Sequence, residues 1–171
     1  AFDAQGLRAL TRSGSAIYIW DAASGEPLSP PLTHKAPIQT CRFSPEGDRI
    51  ATTCDDLHTR VWDCTDPGPI VTLGHKDVAL VEACLSADDR LILTADDQGN
   101  VFLWHAEQRR EIRLHDNAFA SVPACLSPDG SLLLATINES MAQLWNTTTG
   151  EPLRSAFSHK HPLRSCEFSP D

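Results

Sequence analysis

Four tryptophans punctuate this chain of 171 residues: Trp20, Trp62, Trp104 and Trp145, separated by 42, 42 and 41 residues. A phrase opened by an apolar residue recurs at the same period, at Phe2, Phe43, Leu85, Leu126 and Phe168. A histidine stands 9 to 11 residues before four of those openers: His34, His75, His115 and His159. Three independent markers keep one period. The chain is therefore a string of similar units, each of which buries its apolar face only by stacking on its neighbours.

Within each unit the hydrophobic pattern has period two. The runs "RIATTC", "RLILTA" and "SLLLAT" follow turn signals at Pro45-Glu46-Gly47, Ala87-Asp88-Asp89 and Pro128-Asp129-Gly130. Next come "TRVWD", "VFLWH" and "AQLWN", then in two units a Gly-containing turn, "SGEPL" or "TGEPL". No window reads as a helix. Each unit predicts about four short antiparallel strands joined by tight turns, an all-β repeat.

Charge and cysteine usage narrow the function. The net charge of −9 argues against duplex nucleic acid or an anionic membrane as the main partner, since both reward a basic face. No stretch approaches the ~18 apolar residues that span a bilayer. The opening residues show no basic n-region and no apolar h-region of a leader. Of the six cysteines, Cys41, Cys84, Cys125 and Cys166 recur just before the phrase openers, and none of the six forms a C-x-x-C pair. They predict small buried residues on a recurring strand, reduced as in a cytoplasmic protein.

These features together resemble the WD40-repeat family of β-propellers, whose signature is a period of ~40–45 residues with Gly-His early and Trp-Asp late. Gly74-His75 keeps the first pair, and Asp21 and Asp63 keep the Asp after Trp, where His105 and Asn146 stand in the other units. The resemblance covers essentially the whole chain and implies four-stranded blades, with repeats at about 1–33, 34–74, 75–114 and 115–158. Residues 159–171 would supply an inner strand that closes a blade. It also implies a structural hydrogen-bond set of His, Ser/Thr, Asp and Trp in each blade. By position His34, Thr52, Asp56 and Trp62 make one complete set. The next unit offers His75, Thr94 and Trp104 with Gln98 in place of Asp; the following one offers His115 and Trp145 with Ala135 and Glu139. The first has Thr11 and Trp20 with Gly14.

On that reading the first blade lacks its inner strand and the last strand lacks its blade. Three closures satisfy both: a four-bladed ring within one chain, an eight-bladed homodimer, or an arc of a longer array. The eight-bladed dimer is the expectation, because WD-type rings usually hold six to eight blades and two-fold closure is the commonest symmetry.

Catalytic constellations are weak. Asp55-Asp56, Asp88-Asp89 and Asp96-Asp97 fall in turns, where Asp is favoured for bonding to the backbone. His159-x-His161 lacks further ligands at metal spacing, and Asn146-Thr147-Thr148 reads as turn chemistry rather than a glycosylation site. The expectation is a non-enzymatic protein–protein interaction scaffold or sensor with no cofactor, no metal and no catalytic residue. The family's usual partner face would carry Lys35, Lys76, Asp77, Asp116, Asn117 and Lys160. A propeller enzyme would instead need Arg42, Glu82, Arg164 and Glu167 to converge at a central channel. Phrases such as "WDAASGEPLSPPLTH" resemble bacterial WD-repeat arrays, which often lie behind a kinase or nucleotide-switch domain.

Overall fold

The computed structural model describes residues 1–66, 68–75, 78–106, 110–115, 124–153 and 155–169. They fold entirely as β-structure with no helix, in four antiparallel sheets. Among the described residues no helix is long and apolar enough to cross a membrane. Two compact units divide the chain, Ala1–Leu85 and Ser86–Asp171.

The first unit holds β1 (Arg8–Ser13), β2 (Ala16–Asp21) and β3 (Leu32–Thr33) in one sheet of that order. Its second sheet runs β4 (Ile38–Phe43), β5 (Arg49–Cys54), β6 (His58–Asp63) and β7 (Pro69–Gly74), and β8 (Leu80–Leu85) ends the unit. In the second unit β9 (Leu91–Asp96), β10 (Val101–His105) and β11 (Arg110–His115) lie side by side. The last sheet runs β12 (Ala124–Leu126), β13 (Leu132–Asn138), β14 (Met141–Asn146) and β15 (Phe157–Ser158).

Alternation builds the first core. Ile17 and Ile19 of β2 point inward and join Leu10, Leu32, Ile38, Ile50, Trp62 and Cys64 in one buried cluster. In β9 alternation disappears, because all six residues are buried and the strand is covered on both faces. A solvated face was never required there, so Leu, Ile and Ala succeed one another without polar interruption.

The repeated phrase encodes one turn. Ser44, Ser86 and Ser127 are buried, and each hydroxyl accepts the N–H of the residue five places on, at 3.2, 3.0 and 2.9 Å. Each donates in turn to an aspartate, Asp48, Asp88 or Asp129, at 3.0, 2.6 and 2.6 Å. Three residues after the serine the backbone turns left-handed, at Gly47 (φ 81°), Asp89 (φ 56°) and Gly130 (φ 71°). A Cβ at Gly47 would also stand 3.1 Å from the Asp3 Cβ. In the first repeat Asp3 replaces the serine, its carboxylate accepting the N–H groups of Leu7 and Arg8 at 2.8 and 3.1 Å.

One expectation changes. The recurring Cys41, Cys84, Cys125 and Cys166 are only half-buried, whereas Cys54 and Cys64 are buried. Cys41 and Cys125 stand on edge strands, which lack a neighbour on one side. Among the described residues, 159–169 form no strand ladder.

Candidate functional site

The loop from β3 to β4 carries the exposed Lys35 between two anchored neighbours. The His34 N–H donates to the Ser15 carbonyl at 2.8 Å, and the Ile38 N–H donates to the Gly14 carbonyl at 3.0 Å. The Ala36 carbonyl accepts the Cys54 thiol at 3.0 Å, and the Pro37 carbonyl accepts the Asp55 N–H at 2.9 Å. The Arg12 guanidinium donates to the carbonyls of Ile38, at 2.6 Å, and Gln39. Gln39 reaches Asp55 at 2.6 Å, which ties this loop to the β5–β6 turn. Lys35 is thus an exposed cation flanked on both sides by backbone groups that are already engaged.

Beneath the loop lies a polar network. Antiparallel register sets Thr52 against Arg60 and Ile50 against Trp62. The Trp62 indole Nε1–H donates to Thr52 Oγ1 at 3.0 Å, and that hydroxyl donates to the Arg60 carbonyl at 3.2 Å. Arg60 grips Asp56 with both terminal nitrogens, at 3.1 and 2.7 Å. Its Nη1 also approaches His34 Nδ1 at 3.0 Å. A guanidinium only donates, so Nδ1 accepts and the His34 proton sits on Nε2. That buried Nε2 has no hydrogen-bond partner in the structure. The imidazole meets the Trp62 ring edge-on at 5.1 Å between centroids.

Electrostatics follow from this packing. Burial, reinforced by the Arg60 charge, pushes the His34 pKa down to about 4. Burial alone would raise Asp56, but the Arg60 hydrogen bonds and charge outweigh it and hold the carboxyl below its ordinary value. His34, Cys54 and Asp56 bring potential ligand atoms within 4.8 Å of one another. Arg60 already occupies both the Asp56 carboxylate and His34 Nδ1, and its charge opposes a metal cation there. The group is a hydrogen-bonded cluster. Sequence reading placed His34, Thr52, Asp56 and Trp62 but missed Arg60, whose signal was a cation two residues before Trp, where Tyr18, Phe102 and Gln143 stand elsewhere.

The remaining site expectations fall as follows. Trp20 and Trp104 donate to Thr11 and Thr94 at 2.7 and 3.0 Å. Lys160 is exposed, as are His159 and His161. Lys76, Asp77, Asp116 and Asn117 lie outside the described residues. Asp56, Asp88 and Asp96 accept backbone N–H groups two residues on, and Asn146 accepts those of Thr148 and Thr149, all as turn chemistry. Arg42 and Glu82 form an ion pair at 2.8 Å, and burial pushes Glu82 up although Arg42 opposes it. In the second unit a cleft of about 440 Å³ opens beside Arg90, His105, Asp129 and Thr147. The turn hydroxyls of Ser127 and Ser131 already engage Asp129 there and hold its pKa down to about 2.

Residues 25–63 and 68–105 match the WD40 family model, described as WD domain, G-beta repeat. Those two stretches are WD40 repeats. Similar proteins include the serine-threonine kinase receptor-associated protein of Gallus gallus, 33% identical over 97 residues, which are 56% of this chain and 27% of that protein. Coronin-7 of Bos taurus is 29% identical over 115 residues, 66% of this chain and 12% of its own length. Apoptotic protease-activating factor 1 of Rattus norvegicus is 23% identical over 99 residues, 57% of this chain and 8% of its own. The matched region therefore spans little more than a quarter of these relatives at most. With four antiparallel sheets and the Trp–Thr bonds of three repeats, the matches support the WD40-repeat family for this chain.

Proposed function

We propose that this chain is a non-enzymatic, cytoplasmic protein–protein interaction module that contacts its partner through the loops preceding its inner strands. The observation that carries this reading is the anchored β3–β4 loop. It presents Lys35 to solvent on backbone fixed from both sides, so ordering it on binding costs little. By the family resemblance the same face carries Lys76, Asp77, Asp116, Asn117 and Lys160. WD40 repeats are generally scaffolds, and Arg42 and Glu82 are tied to each other in an ion pair. A photo-crosslinker at position 35 should capture a discrete protein from the source cells. The same crosslinker at position 23, on the Asp21–Gly25 turn, should not, and K160E should lower the yield at position 35. Equal yields at positions 35 and 23 would refute the loop-face reading.

A second reading concerns closure. β1 ends its sheet with only residues 1–3 bonded along its outer side, and among the described residues 159–169 form no ladder, which favours pairing with a second copy to complete eight blades. The alternative is an arc of a longer array, bacterial by phrase resemblance, attached to a kinase or nucleotide-switch domain. The small share of each relative that is matched favours it. Light scattering on a dilution series separates the two. A stable species at twice 18.7 kDa supports the dimer, and a ladder of aggregates supports the arc.

A further inference from the structure

We propose that Cys125 and Cys166 are a redox-active pair whose reversible disulfide latches residues 159–169 onto the last sheet. The two sulfurs lie 3.4 Å apart, in contact without a bond between them. Both residues are half-buried, so a small oxidant reaches them where it would not reach the buried Cys54 and Cys64.

The pair is held in place by groups other than the sulfurs. Cys125 lies on β12 in register with Leu134 of β13. The Cys166 thiol points at the carbonyl of that same Leu134, at 3.8 Å. The segment carrying Cys166 is seated on the β13–β14 turn by two main-chain bonds. The His159 N–H donates to the Ser140 carbonyl at 2.8 Å, and the Leu163 N–H donates to the Glu139 carbonyl at 2.6 Å. The first repeat contains the same seat, from His34 to Ser15 and from Ile38 to Gly14. There the seated segment continues as β4 and is paired along its length to β5. Among the described residues, 159–169 have the seat without the ladder. A covalent link between these two cysteines, 41 positions apart in the chain, would add a constraint there.

The oxidant is a low-molecular-weight disulfide such as glutathione disulfide. One cysteine thiolate attacks a glutathione sulfur, forming a mixed disulfide and expelling one glutathione thiolate. The other thiolate then attacks the protein sulfur of that mixed disulfide and expels the second glutathione. One protein S–S bond forms and one glutathione S–S bond breaks. Two electrons pass to glutathione, and the two thiol protons end on the two glutathione thiols.

The test is equilibration of the full chain in glutathione buffers of graded ratio, followed by acid quench, intact mass and tryptic mapping. The two cysteines fall in separate tryptic fragments, 114–154 and 165–171. The expected result is a loss of two hydrogens from the intact mass and a linked pair of those fragments that dithiothreitol separates. C166S should abolish the linkage and C41S should leave it unchanged. Amide exchange over 163–169 should slow at least about tenfold on oxidation, because local opening then carries a covalent constraint. Mapping of the wild type needs no variant to fold. Glutathione adducts alone, a linkage through Cys84 instead, or thiols that persist in excess glutathione disulfide would each overturn the proposal.

Discussion

The second and third repeats hold their tryptophans alike and fill the space beside them differently. Trp62 and Trp104 each donate to a threonine ten residues earlier at 3.0 Å. Two residues before Trp62 stands Arg60, bound to Asp56 and against His34; two before Trp104 stands the buried Phe102, and Gln98 takes the Asp56 position. The third repeat places its buried carboxylate elsewhere, at Asp96, which accepts from the Asn100 backbone and side-chain amide at 2.8 and 2.7 Å. The indole–hydroxyl bond is the shared requirement, because a buried N–H needs an acceptor whatever surrounds it. The charged cluster is one solution among several, and it makes the second repeat dependent on a pairing that the third does not contain.

Breaking that pairing should have the largest effect. Asp56→Ala leaves the Arg60 guanidinium, only 12% exposed, without its carboxylate. It should cost about 3 kcal/mol in urea unfolding, as for other broken buried pairs. The double change D56Q/R60F, which transplants the third repeat's residues, should recover most of that loss. If the double variant is no better than D56A, the two repeats are not interchangeable solutions.

Acid should expose the same difference more gently. The His34 pKa is about 4 when folded against an ordinary 6.5, so the unfolded chain takes up this proton first as pH falls. The contribution is complete above pH 6.5 and is lost as pH falls toward 4. The drop should reach about 2 kcal/mol, and H34Q should flatten it. An unchanged pH profile in H34Q would show that His34 is not held neutral by its surroundings.

The shared feature should respond equally in both repeats. Thr52→Val and Thr94→Val each strand an indole N–H and should each cost about 1–2 kcal/mol by thermal or denaturant unfolding. A twofold disparity would mean that the charged cluster strengthens the bond beside it. The smallest effect sits in the intervening turns, where Leu57 adopts φ 63° and Gly99 φ 81°. Leu57→Gly should be neutral or gain a few tenths of a kcal/mol, whereas Gly99→Leu should lose about 1 kcal/mol, by the same measurement.

The periodic tryptophans and the phrase openers made the repeats legible, because each marks a position with a fixed backbone task. Thr52, Thr94 and Thr11 are matched to their tryptophans by the family resemblance, and antiparallel register sets each pair diagonally on one face of its sheet. Arg60 was not legible. It occupies a position where the other repeats carry Tyr, Phe or Gln, so no period announces it, and its role exists only where Asp56 and His34 converge. The partial exposure of the recurring cysteines was hidden for a related reason, because a strand pattern does not reveal which strand forms an edge. For 159–171 local sequence specifies extended backbone but not the neighbour that would make a ladder, and among the described residues 159–169 form none.

One joint recurs through the molecule: the N–H of His34, His75 or His159 donates to the carbonyl of Ser15, Leu57 or Ser140, at 2.8, 2.9 and 2.8 Å. The acceptors are two serines and a leucine, and no common side chain is needed because the fastening is made wholly of main-chain atoms. Such a joint places no demand on the residue that receives it. A gene segment encoding one period could therefore be copied or deleted at that point without any matching substitution in its neighbour. Chains of different repeat number can arise by recombination alone, and each new copy is then free to diverge in its side chains from the first generation onward.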